Sequence, residues 1–113
     1  MLDDVWLLRE GEWRLLSRNT VSPPGELGGW AYDPVSRLVA RYGGIPSSRE
    51  RSKDAMGLWV WDGERWHEKL SPGGPPGRRT MPELCFVRAT SEVILYGGDP
   101  RTPADTWSLT MKR

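Results

Sequence analysis

The sequence predicts an all-β chain of short antiparallel strands arranged as a repeat. Three observations carry this expectation. The 113 residues include 13 Gly and 10 Pro, about one residue in five against a usual ~12%, which excludes a helical bundle or a coiled coil. Seven Trp stand beside a single Phe, and disordered chains are poor in aromatics. Finally, similar segments recur in the same order roughly 50 residues apart, the period of a small structural repeat.

Each element follows from its own residues. Residues 5–9 carry Trp6, and Arg9-Glu10-Gly11-Glu12 then supplies a hairpin turn. A second strand, 13–16, opens on Trp13. After the Pro23-Pro24-Gly25 break come a strand at 30–33 and another at 38–42 that ends in Gly43-Gly44. Residues 58–61 carry Trp59, Asp62-Gly63-Glu64-Arg65 turns the chain, and 66–70 open on Trp66. The order then restarts. Pro75-Pro76-Gly77 precedes strands at 84–87 and 92–96, the second ending in Gly97-Gly98, and Trp107 marks a last strand at 106–110. These segments are short, rich in Val, Leu, Trp and Tyr, and bounded by Gly, Pro, Asp and Ser. No run holds helical periodicity beyond about two turns.

The matched markers are Asp4-Val5-Trp6, Leu58-Trp59 and Asp105-Thr106-Trp107, with Trp13 and Trp66 each seven residues after the first two. Leu38 to Gly44 likewise matches Glu92 to Gly98 at an offset of 54. In these residues the chain resembles the kelch family of β-propellers, whose unit of about 50 residues folds as one four-stranded blade. The family pattern is a Gly-Gly pair closing the second strand, followed by two spaced aromatics. Here those are Gly43, Gly44, Trp59 and Trp66, then Gly97, Gly98 and Trp107, with Trp6 and Trp13 in a blade lacking its first half. The resemblance implies a half blade at 3–17, a full blade at 23–70 and a partial blade at 75–110, together about 2.25 blades. The expected place of Trp6, Trp13, Trp59, Trp66 and Trp107 is packing between blades, with Trp30 and Trp61 less regular.

Two and a quarter blades cannot close a ring, since known propellers have at least about four. The expectation is therefore self-assembly into a closed homo-oligomer, a trimer favoured over a dimer because six blades suit the family. The third strand occurs three times, at Trp6, Trp59 and Trp107. One copy per subunit is surplus in either ring.

Chemistry is sparse. Cys85 is the single cysteine and reads as a small core residue on an inner strand, which excludes a disulfide or a cysteine cluster within the chain. His67 is the single histidine and reads as an exposed or packing residue. Gly73 to Gly77 lacks the Lys-Ser/Thr and the helix of a phosphate loop. Carboxylate pairs such as Asp3/Asp4 and Glu10/Glu12 sit in solvated positions. No cofactor and no metal is expected.

The formal charge of +1 argues against nucleic acid or an anionic membrane as partner. The absence of a signal segment leads to the expectation of a cytoplasmic location. The loops 17–29, 45–57, 71–83 and 99–105 would emerge on one face and carry Arg18, Arg49, Arg51, Lys53, Arg78, Arg79 and Arg101. They form the candidate docking face for an anionic or peptide ligand.

The expected function is a non-catalytic binding or scaffolding module. The alternatives are part of a carbohydrate-processing propeller enzyme, or a designed or truncated repeat fragment whose only property is assembly.

Overall fold

A computed structural model describes residues 4–18, 28–44, 57–70, 79–98 and 105–112. Among them are nine strands: β1 (Val5–Arg9), β2 (Glu12–Ser17), β3 (Gly29–Asp33), β4 (Leu38–Tyr42), β5 (Leu58–Trp61), β6 (Trp66–Leu70), β7 (Glu83–Val87), β8 (Glu92–Tyr96) and β9 (Thr106–Leu109). Every strand expected from the sequence is present, with ends moved by at most one residue. All pairings are antiparallel. They form a first sheet β1-β2, a second sheet β3-β4-β5-β6 and a third sheet β7-β8-β9.

The turns explain the sheet order. Glu10 and Gly11 take φ of 52° and 81°, the paired left-handed conformation of a two-residue hairpin turn between β1 and β2. Between β3 and β4, buried Asp33 accepts hydrogen bonds from the Val35 amide (2.8 Å), the Ser36 amide (3.3 Å) and the Ser36 hydroxyl (2.9 Å). Such an Asx turn gives the backbone local partners where the ladder ends. The repeat holds at the level of dihedrals. Arg37 has φ 62° and its counterpart Ser91 has φ 55°.

Side chains alternate across each strand, and both faces of the second sheet are used. Leu38, Ala40, Tyr42, Leu58 and Val60 face the third sheet, where Val93, Leu95 and Met111 are also buried and Leu84, Phe86 and Leu109 pack alongside. The opposite face presents Trp59, Trp61 and Trp66 to Val5 and Leu16 of the first sheet. The second sheet is therefore the middle layer, and its two-sided burial is why β5 reads Leu-Trp-Val-Trp, apolar throughout.

Glycine marks the seam between the second and third sheets. A Cβ on Gly29 would lie 2.5 Å from both the Leu84 Cδ1 and the Pro82 carbonyl oxygen. Gly43 has φ 75° and its Cβ would strike the carbonyl oxygen of Arg79. That same carbonyl accepts a 2.8 Å hydrogen bond from the Gly44 amide. Gly97 has nearly the same backbone, φ 72°, but no described atom lies within 4 Å of its Cβ position. Gly43→Ala is expected to cost more than about 1 kcal/mol, because it adds a steric clash to an unfavourable φ. Gly97→Ala carries the φ penalty alone, so thermal unfolding should place it closer to wild type.

Candidate interaction surface

The repeated tryptophans occupy two environments. Trp59, Trp61 and Trp66 are buried, at 6%, 8% and 9% exposure. Trp61 and Trp66 meet edge to face with centroids 5.5 Å apart at 60°, a geometry favoured by the ring quadrupole. Trp6 (44%), Trp13 (65%) and Trp107 (39%) are exposed. Within one chain, core packing thus applies to Trp59 and Trp66 and not to Trp6, Trp13 or Trp107. The physical reason is position. The middle layer has a neighbour on each side, whereas Trp6 and Trp13 face away from the second sheet and Trp107 sits on the free edge of a three-stranded sheet.

Cross-strand pairing shows what these exposed rings form. Trp6 lies opposite Leu15 and Leu8 opposite Trp13, so four exposed apolar side chains share the outer face of the first sheet. A second exposed group lies on β3. Trp30 and Tyr32 are 53% and 54% exposed. Trp30 leans edge-on against Trp66 at 5.5 Å, and the Arg41 guanidinium sits 5.6 Å from its ring centre, within cation–π range. Exposed aromatics grouped in this way differ from the singly scattered apolar residues of an ordinary surface.

Of the candidate docking loops, Arg49, Arg51, Lys53, Arg78 and Arg101 lie outside the described residues. Arg79 is described, and its side chain is inside the protein rather than on a solvated loop face. At 1% exposure, it donates to the Gly97 carbonyl at 3.1 Å and pairs with the Asp105 carboxylate. This ion pair ties the entry to the third sheet to both β8 and β9. The Asp105 carboxyl is held below its ordinary value, first by Arg79 and next by the Trp107 indole. Asp4, read from sequence as a solvated acid, plays the same local part in β1: Trp6 Nε1 donates to its Oδ2 at 2.8 Å. The shared Asp-x-Trp spelling was the signal for both bonds. Nothing local signalled the arginine, 26 residues before Asp105.

The remaining reactive groups are dispersed. Cys85 is exposed on the outer face of the third sheet rather than in a core. His67 belongs to the second sheet, where Asp62 Oδ2 lies 2.7 Å from its Nε2. Asp62 also accepts from the Glu64 and Arg65 amides at 2.8 and 2.9 Å. These bonds, the backbone ones foremost, hold its carboxyl well below the usual range. The Asp62–His67 pair thus fixes the β5–β6 turn. Among the described residues no group of three or more His, Cys, Asp or Glu is placed to hold a metal ion. Among the same described residues no helix is long and apolar enough to cross a membrane.

A cleft of about 240 Å³ opens beside β9, lined by Leu38, Leu58, Val60, Lys69, Leu109 and Met111. It lies where the four-stranded sheet extends beyond its three-stranded neighbour. Geometrically, the surface suits docking of apolar and aromatic groups, and its edges suit added strands. No family model matches the chain, and no curated protein matches it.

Proposed function

We propose that this chain is a non-catalytic binding or scaffolding module of kelch-like propeller blades, completed into a closed assembly by further copies of itself. The observation that carries this reading is the contrast between repeat-equivalent tryptophans. Trp59 and Trp66 are buried between sheets, while Trp6 and Trp13 face solvent at 44% and 65% exposure. An equivalent layer over Trp6 and Trp13 would complete the pattern that the chain already uses internally. Stacked repeats are stabilised by such nearest-neighbour contacts.

The strand count supports the same reading. Among the described residues one sheet has two strands and another three, against the four of the middle sheet. Gly97 supports it too, since it keeps the backbone of Gly43 while no described atom crosses it as Arg79 crosses Gly43. In the assembled module the arginine-bearing loops around Arg49, Arg51, Lys53, Arg78 and Arg101 would repeat around one rim and dock an acidic or peptide partner.

Native mass spectrometry tests the assembly. The expected mass is a whole multiple of 12.8 kDa, and a stable folded monomer at micromolar concentration would overturn it. The same measurement on a variant with Arg49, Arg51 and Lys53 changed to Ala is expected to give the wild-type multiple. Loss of the multiple there would make the loop an assembly element and not a docking site.

A further inference from the structure

We infer that the β1–β2 hairpin of one copy takes the place of β9 in the third sheet of another copy. The inference rests on the proposed assembly and names the segment through which it forms.

β1 and β9 are two versions of one strand. Both read Asp-x-Trp-x-Leu from Asp4 and Asp105. In each, the aspartate engages the indole two residues later. They differ in how well they fit the site. β9 places Thr106 opposite Tyr96 and Ser108 opposite Ile94, and Thr106, Trp107 and Ser108 are all exposed. In the same register β1 would place Val5 opposite Tyr96 and Leu7 opposite Ile94. Exchanging two hydroxyl side chains for two branched apolar ones strengthens the cross-strand pairs. Arg79 would keep a carboxylate partner, Asp4 in place of Asp105.

The exchange also brings a missing strand. β1 and β2 are joined by a tight turn and move as one unit, so β2 would arrive as the fourth strand. The composite order β7-β8-β1-β2 matches the complete sheet β3-β4-β5-β6. Trp13 would then occupy the position that Trp66 holds in the second sheet, and Leu109 and Met111, which line the cleft beside β9 at present, would leave with the displaced strand. In the donor copy, β7 and β8 of its neighbour would extend the first sheet over Trp30 and Tyr32, both exposed at present. One rearrangement thus covers both exposed aromatic groups and makes β9 the surplus third strand.

Disulfide trapping tests this in the full chain, read beside native mass. In a Cys85→Ser background, Leu7→Cys with Ile94→Cys is expected to give interchain disulfides under a glutathione redox buffer. The second sheet separates these two positions within one chain, so an intrachain bond is excluded. Ile94→Cys with Ser108→Cys is the competing pair. An assembled protein that closes the Ile94–Ser108 bond within each chain, and forms no Leu7–Ile94 bond, would overturn the exchange and leave the assembly reading standing. A monomer would overturn both. As a second measurement, Thr106→Pro with Ser108→Pro disables β9. The multiple is expected to persist, and its loss would show that β9 itself holds the assembly.

Discussion

Trp59→Ala is expected to lose about 3–5 kcal/mol of stability, the range for deleting a large buried aromatic. Trp59 is 6% exposed, pairs across the sheet with Arg41 and Glu68, and belongs to the cluster against which Val5 and Leu16 pack. Truncation removes the ring contacts of the middle layer and loosens the first sheet, which the same cluster holds. Against a total of about 5–15 kcal/mol for an ordinary domain, this is a large fraction. Urea unfolding followed by tryptophan fluorescence measures it. A midpoint unchanged from wild type would remove Trp59 from the load of the core.

Arg79→Ala is expected to cost about 1.5–3 kcal/mol, the range for losing hydrogen bonds to a charged group. The change leaves the half-buried Gly97 carbonyl without its donor, and an acceptor left unmet adds to the loss. It also alters the acid response. Asp105 has a folded-state pKa below its ordinary value, so its contribution is present above the unfolded value of ~3.9 and disappears as pH falls through the lower folded value. Wild type should therefore lose stability on acidification below about pH 4 more steeply than Arg79→Ala. Parallel acid curves for the two proteins would show that the pair contributes nothing to the pH dependence.

The strands were legible because their cause is local. Alternating Val, Leu, Trp and Tyr between Gly, Pro and Asp fixes strand and turn within a few residues, and Gly43-Gly44 and Gly97-Gly98 fix the repeat. The environment of each tryptophan was not legible in the same way. Trp13 and Trp66 each follow a glycine-containing turn seven residues after another tryptophan, yet one faces solvent and the other a neighbouring sheet. Burial depends on what lies opposite, which the strand itself does not encode. Arg79 shows the same limit from the other side. Next to Arg78 in a Gly- and Pro-rich loop it reads as a solvated charge. Its burial depends on Gly97 and Asp105, both distant in sequence. Cys85 reads as core because it lies between Leu84 and Phe86 on an inner strand, yet it is exposed on the third sheet, where its face has no described neighbour layer.

The two faces of the middle sheet differ, and the difference gives the stack a direction. Indoles point toward the first sheet, whereas Leu38, Ala40, Leu58 and Val60 point toward the third. A contact that continues this sequence joins the front of one copy to the back of the next. Such a head-to-tail contact has no twofold symmetry of its own, so like faces do not mate. Its outcome is set by the angle accumulated per copy. An angle that divides a full turn evenly terminates growth in a ring of fixed number, and any other angle leaves an open helical filament that lengthens with concentration.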